Sequence, residues 1–310
     1  MLRSTCSACQ GVLRRHLTAV GDPRSREEFA IDVCSVCGLG HTLPQPEQLA
    51  RYYGQEYYGN RHSFTASYCA RRRVRFVRKV TEATAHRSLL DVGCGDGAFL
   101  LEAKRSGWDV IGTEVEPKGA RSSGLRVFEA LEESAALAPF DCVTLWHSLE
   151  HLKDPLQALR TIRGMLRPKG MVLIAVPDFG GFQARLFGRR WFHLDVPRHL
   201  YHFSKAALVS ILRSAGLEVT RTWHQEIELE VMGWAQSALN SIMPAPNVFF
   251  ERLRGARLPI PGARGQPVAP AELALNLVLG TALLGLAVPA TLISTLFGRG
   301  GTLIVAARPA

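Results

Sequence analysis

Three groups of residues in this chain have types and spacings that can do chemistry. The first is the run Ser88-Leu-Leu-Asp91-Val-Gly93-Cys94-Gly95-Asp-Gly97. Alternating glycines let the backbone turn sharply and come close to a ligand beside the positive end of the next helix. An acid directly before them can hold an ammonium group. The second is a cysteine quartet, Cys6-x-x-Cys9 and Cys34-x-x-Cys37, with 24 residues between the pairs. Two thiolate pairs on tight turns can close a tetrahedral zinc site. The third is Trp191-Phe-His193-Leu-Asp195-Val-Pro197-Arg-His199-Leu-Tyr201-His202, rich in side chains that titrate near neutrality.

The elements needed to position these groups follow from the pattern around them. A short apolar strand carries Asp91 at its end, and Ala98, Phe99, Leu100 and Leu101 open a helix after the glycines. By itself this run also fits the dinucleotide fingerprint, as Gly93-x-Gly95-x-x-Ala98 with Glu114 as the ribose acid. Three further blocks lie downstream: Trp108-Asp-Val-Ile-Gly-Thr-Glu114, Phe140-Asp-Cys-Val-Thr-Leu-Trp146-His147-Ser-Leu-Glu150-His151, and Leu166-Arg-Pro-Lys-Gly-Met-Val-Leu-Ile-Ala-Val-Pro177. A dehydrogenase leaves the last two unexplained. In this order and spacing the blocks resemble the class I S-adenosylmethionine (SAM)-dependent methyltransferases, and within them the small-molecule branch with a Leu-Glu-His signature after strand four. The resemblance spans roughly residues 85–225.

The resemblance implies a role for each position. Asp91 would lie under the methionine amino group, reached through water. Gly93, Cys94, Gly95 and Gly97 would pass the methionine and ribose. Glu114 would accept hydrogen bonds from both ribose hydroxyls, since a carboxylate offers two acceptor oxygens. Val115 would lie against adenine, and Trp146 and His147 would border the methionine. The structural alternative for Glu114 is an exposed carboxylate at a strand end.

Methyl transfer to an alcohol needs a positioned acceptor and a base for its proton. The branch carries a Pro-x-His pattern, matched here by Pro197-Arg198-His199, which makes His199 the candidate base or substrate anchor. Its alternative is a structural bond to backbone. His151 is the second candidate, with anchoring of the loop as its alternative. Ser204 and Lys205 read as helix-capping residues.

The chain has seven cysteines, and its N-terminus lacks an apolar leader because Arg3, Arg14, Arg15 and His16 interrupt it. The expectation is a cytoplasmic protein with reduced thiols. The quartet then reads as a zinc ribbon with a closed, structural site, and Gly38 favours the second knuckle. One alternating strand, Phe29–Val33, is evident, so the segment reads as strand-poor and in need of a metal staple. Similar ribbons precede the methyltransferase domain in enzymes acting on sugars and glycan intermediates, by the same resemblance. Tyr52, Tyr53, Tyr57 and Tyr58 follow in a connecting segment, as an aromatic wall or as packing. Cys69, Cys94 and Cys142 have no partners in sequence and read as small buried residues.

A net charge of +10 suggests an anionic partner, with a solvated basic surface as the alternative. Basic residues from Arg71 to Lys79 interleave with Val74, Val77 and Val80, as an amphipathic helix would. No stacking platform accompanies them, which ranks nucleic acid below an acidic lipid or phosphorylated substrate. Two charge-free runs, Val231–Phe250 and Leu273–Gly298, flank a linker rich in arginine and proline. The second would be about 39 Å long as a helix, enough to cross a bilayer core of about 30 Å. One crossing would leave the last strand on the wrong side, and two would place the arginines outside. The expectation is in-plane or re-entrant attachment to an anionic membrane, with a buried lid or dimer interface as the alternative. Pro289 is expected to kink this helix.

Together these readings predict an α/β fold: a doubly wound, seven-stranded, Rossmann-like sheet with an N-terminal zinc ribbon and an apolar helical insertion before the last strand. The expected segments are ribbon 1–45, connecting helical segment 46–84, SAM-binding core 85–229, insertion 230–299 and final strand 300–310. The expected function is methyl transfer from SAM to a hydroxyl of a sugar or lipid-linked glycan. The alternatives are a lipid-like acceptor such as a quinone, or a SAM-binding scaffold without activity. Structural Zn2+ and SAM are the expected cofactors, and peripheral contact with the cytoplasmic face of a membrane is the expected location.

Overall fold

The computed structural model describes residues 5–53, 66–81, 87–224, 226–255 and 267–310. In chain order its strands are β1 (Leu13–Gly21), β2 (Glu28–Cys34), β3 (Gly40–Leu43), β4 (Ser88–Val92), β5 (Asp109–Thr113), β6 (Val127–Phe128), β7 (Phe140–Trp146), β8 (Leu166–Pro177), β9 (Tyr201–His202), β10 (Leu217–Trp223) and β11 (Thr302–Pro309). The helices are α1 (Ala66–Val80), α2 (Ala98–Arg105), α3 (Lys118–Ser122), α4 (Pro155–Met165), α5 (Phe182–Phe187), α6 (Lys205–Ser214), α7 (Ile227–Ile242), α8 (Val248–Leu253) and α9 (Pro270–Leu296).

The chain forms two compact units, each assembled from separated segments. One comprises His62–Val176, Leu208–Trp223 and Ile304–Ala310. Its seven-stranded sheet has the order β10-β11-β8-β7-β4-β5-β6. The β4–β5, β4–β7, β5–β6 and β7–β8 pairs are parallel, and β10–β11 is antiparallel. Strand β11 thus lies between β8 and β10, the fifth and sixth strands of this sheet in chain order. Leu89, Leu90, Val143, Leu145, Val172 and Ile174 are wholly buried, which is why these strands read as continuous apolar runs. Helix α4 starts where Asp154 accepts a hydrogen bond from the Gln157 N–H at 2.9 Å and Pro155 opens the first turn. Helix α1 buries Val74, Phe76 and Val77, the amphipathic face expected of the basic segment.

The other unit comprises Met1–Arg61, Pro177–Ala207 and His224–Leu303. It corrects the strand-poor reading of the N-terminus: β1, β2 and β3 form an antiparallel sheet. Strand β1 escaped notice because most of its side chains are exposed and show no alternation of polarity. The sheet is completed by β9 from the histidine-rich segment, with Gly40 opposite His202 and His41 opposite Tyr201. Glycine is needed there, since a Cβ on Gly40 would lie 2.9 Å from the His202 Cβ. In the same unit α7 packs along α9, which is continuous across Pro289.

Candidate functional site

In the seven-stranded unit, Asp91 ends a strand that leads into a loop of three left-handed glycines: Gly93 (φ 77°), Gly95 (φ 58°) and Gly97 (φ 81°). The three are needed for different reasons. A Cβ on Gly93 would lie 2.6 Å from the Ser148 Cβ, and one on Gly97 would lie 2.4 Å from Leu125 Cδ1. Around Gly95 no protein atom lies within 4 Å of that position. Gly95 therefore borders open space at the N-terminal end of α2, where a ligand can approach the backbone.

Glu114 follows β5 and is half-buried. Its Oε2 accepts from the Gly95 N–H at 2.8 Å and its Oε1 from the Val115 N–H at 2.9 Å. Oε1 also accepts from the Glu116 N–H at a long 3.5 Å, so with two lone-pair sites per oxygen the spare acceptor capacity lies chiefly on Oε2. This carboxylate is tied to the glycine loop and is more than an exposed strand end. Val115 beside it is 74% exposed, an apolar surface on the solvent side.

Asp91 is buried, and its Oδ1 accepts from Thr144 Oγ1 at 2.6 Å. Burial pushes its carboxyl up to about 7, against the opposing effects of the Thr144 hydrogen bond and the Arg73 charge. A carboxylate in this state gains from a cation, which fits an ammonium-bearing ligand. Cys94 is buried, and burial raises its thiol pKa, so it is a packing residue rather than a nucleophile.

Beyond β7, Trp146 is packed in the core, with its ring edge-to-face on Phe99 at 5.8 Å and the Arg73 guanidinium 5.0 Å over it. His147 has φ 56°, unusual for a residue with a side chain, and its Nδ1 lies 3.6 Å from Glu150 Oε1. Such strain at a strand end is characteristic of functional loops. His151 closes a short 3₁₀ turn, Leu149–His151, and is partly exposed.

In the ribbon unit the four sulfurs of Cys6, Cys9, Cys34 and Cys37 all lie within 4.8 Å of one another. Cys6 and Cys37 are 3.6 Å apart, and Cys9 and Cys34 are 3.4 Å apart. Zinc–sulfur bonds of about 2.3 Å place sulfurs about 3.8 Å apart in a tetrahedron, so the quartet fits the metal with little adjustment. Backbone N–H groups of Ala8 and Val36 point at Cys6 and Cys34 at 3.4 Å each. Burial pushes the Cys6 thiol up to about 11. At Cys34 burial acts in the same direction but is outweighed by the Cys37 and Val36 N–H groups, which leave it at about 7.

His199 is buried in the same unit, in the segment fixed to the ribbon by β9. Its Nδ1 lies 3.0 Å from the His193 carbonyl oxygen, which can only accept, so Nδ1 carries the proton. In the neutral ring Nε2 is then the basic nitrogen, and it lies 3.9 Å from Asp195 Oδ2. The backbone bond named as the structural alternative is present, and it also sets the tautomer that a base requires. Ser204 caps α6 by accepting from the Ala207 N–H at 3.2 Å. Tyr52 packs edge-to-face on Phe29 at 6.1 Å. Tyr57 and Tyr58 lie outside the described residues.

Several buried polar residues of this unit escaped the sequence reading. Arg198 joins Asp22 and Asp195. Asp178 lies 3.9 Å from His224 Nδ1, and burial raises its carboxyl to about 6. Glu230 accepts from the Gly301 and Thr302 N–H groups at 2.6 and 2.7 Å, tying α7 to the start of β11. An acid directly after the apolar strand β8 was the one local signal for Asp178; the others are joined across long stretches of chain.

Residues 61–222, more than half of the chain, match the family model described as a methyltransferase domain. The chain belongs to this family. The match covers the glycine loop, Glu114, His147, His151 and His199. The cysteine quartet and helices α7 to α9 lie outside it. A relative from Cereibacter sphaeroides named ubiquinone biosynthesis O-methyltransferase is 30% identical over 147 residues, covering 42% of this chain and 60% of that protein. One of the same name from Ralstonia nicotianae is 29% identical over 156 residues, covering 44% and 66%. The chain thus spans less than two thirds of the length of these two relatives. A solved SAM-dependent methyltransferase from Archaeoglobus fulgidus aligns with a TM-score of 0.46 at 16% identity, covering 78% of this chain and 93% of that one.

Proposed function

We propose that this chain transfers a methyl group from SAM to a hydroxyl of a lipid-like, quinone-type acceptor. The observation that carries the SAM reading is the joint placement of Gly95 and Glu114: a left-handed glycine beside open space, and a carboxylate tethered to it with acceptor sites to spare. Membership of the methyltransferase-domain family supports it. The relatives' name favours the quinone alternative over the sugar or glycan acceptor expected from the ribbon.

Bound SAM would supply an electrophilic methyl group on a sulfonium. Gly95 would keep a side chain away from its path, while Gly93 and Gly97 let the loop pack on Ser148 and Leu125. Glu114 would accept from the ribose hydroxyls, and Asp91 would favour the ammonium through its buried charge. Asp91 is the electrostatic partner whether contact is direct or through water. His199, protonated on Nδ1 by its bond to His193, takes the acceptor hydroxyl proton on Nε2. His151 is the second candidate for this role. The four thiolates would hold a structural zinc, which would stiffen the ribbon sheet and, through β9, the backbone leading to His199.

The test is S-adenosylhomocysteine formation on addition of a lipid-tailed quinol. His199→Ala should lower turnover by about 10²–10⁴-fold with SAM affinity little changed. His151→Ala should cost less. If the His151 variant is inactive and the His199 variant near normal, the base assignment must be exchanged. If SAM binds but the wild-type protein forms no product with any hydroxyl acceptor, the scaffold alternative holds instead.

A further inference from the structure

Helix α9 is amphipathic with its faces reversed. Its 27 residues contain no Lys, Arg or Asp and a single acid, Glu272, in the first turn. The buried positions are small or polar: Asn276, Gly280, Ala287, Thr291 and Ser294. The large apolar side chains point outward: Val278 is 67% exposed, Leu286 68%, Leu292 58%, Leu296 84%, and Phe297 just beyond the helix 70%. Gly280 lets the helix close on α8, since a Cβ there would lie 2.5 Å from the Phe249 ring. Helix α7, which packs on α9, buries Glu230, Gly233, Ala235, Gln236, Ser237 and Leu239. Helices that face water bury their large apolar residues. Small and polar residues at the helix contact with aliphatic residues outside is the arrangement of helices that face lipid.

Glu272 is the one acid of the helix, in its first turn, and exposed arginines lie near its other end. Arg299 is exposed two residues after Phe297. The Phe297 ring meets Phe182 of α5 at 6.1 Å, and Arg185 and the 67% exposed Leu186 lie one turn further along that helix. Arg252 and Leu253 are exposed at the end of α8. Arg299 and Arg185 form a basic rim at the C-terminal end of this aliphatic face, which complements an anionic lipid surface. A single crossing is excluded by the sheet: β10 precedes these helices, β11 follows them, and the two pair from Leu217 opposite Pro309 to Trp223 opposite Ile304.

We propose that the outward face of α9 is a monotopic docking surface for an anionic bilayer. The helix lies along the membrane with its small-residue face on the protein and its leucine face among the acyl chains. This proposal stands on α9 and its rim alone and does not depend on the methyl-transfer reading.

The test is flotation of the purified full-length protein with phosphatidylcholine vesicles, with or without phosphatidylglycerol. The expected result is binding to the anionic vesicles that weakens with added salt. The triple variant Leu286→Gln, Leu292→Gln, Leu296→Gln should lower partitioning by more than about tenfold, the direction set by loss of buried apolar area. SAM binding should persist in that variant, which shows that the fold survives. No flotation of wild-type protein with anionic vesicles would overturn the proposal. So would a stable dimer in solution that the triple variant dissociates, since the face would then be covered by a second copy of the chain.

Discussion

Arg198 Nη2 lies 2.8 Å from Asp22 Oδ1, with both side chains almost wholly buried. The pair joins the turn after β1 to the residue beside His199. Arg198 also donates to the Tyr52 carbonyl oxygen at 3.3 Å and to Asp195 at 2.8 Å. Burial of the guanidinium alone would lower its pKa, but the charges of Asp195 and Asp22 outweigh this and raise it. The ribbon and the histidine segment are therefore held together by a buried ion pair as well as by a shared sheet.

Breaking this pair should be costly. Arg198→Met strands Asp22 as a buried charge, for which a loss of about 3–5 kcal/mol is typical. Denaturant unfolding of the ribbon unit should show it. Turnover should fall as the His199 segment loosens, and SAM affinity should hold.

Metal removal should act in the same direction. Protein prepared without chelator should carry one zinc per chain, and metal analysis that finds none would remove the zinc site. Chelation should abolish turnover, because β9 loses its sheet partner, while calorimetry still detects SAM binding. A chelated protein with full activity would show that the ribbon does not support the histidine segment.

Glu114→Ala should weaken SAM binding by about 1.5–3 kcal/mol, the scale of charge-assisted hydrogen bonds. Part of the loss comes from the Gly95 N–H, which the carboxylate holds in place. Gly95→Val should abolish binding, since the added side chain fills the open space and its φ of 58° disfavours valine. Unchanged affinity in the Glu114 variant would take this residue out of the ribose site.

Asp91 should make SAM binding pH-dependent. Its carboxyl is raised from an ordinary 3.8 to about 7. The folded protein thus holds this proton more tightly than the unfolded chain, and the associated stability is lost as pH rises through about 7. An ammonium beside Asp91 favours the charged form, so SAM affinity should climb through the same range and level off above it. Asp91→Asn should flatten the profile. Calorimetry across this range, in buffers of differing ionisation enthalpy, reads both the affinity and the proton released.

What the sequence disclosed was local. The glycine loop, Glu114 and the cysteine quartet depend on short spacings, and the arrangement of the core strands is what the family resemblance implies. What it concealed is set by pairing across distance. Strand β9 has two residues and no periodicity, and β3 makes it a strand. Asp22 and Arg198 are separated by most of the chain, so nothing near either announces the other. In α9 composition revealed an apolar run, but only packing shows that the small residues face inward and the leucines outward.

The most direct test of the account is the mass of the product formed from methyl-labelled SAM when a lipid-tailed quinol and a lipid-linked glycan are offered together. The account predicts a quinol heavier by one labelled methyl group, carried on a ring oxygen, and an unchanged glycan. A labelled glycan with an unlabelled quinol would contradict the acceptor, and label on neither, with SAM bound, would contradict the transfer itself.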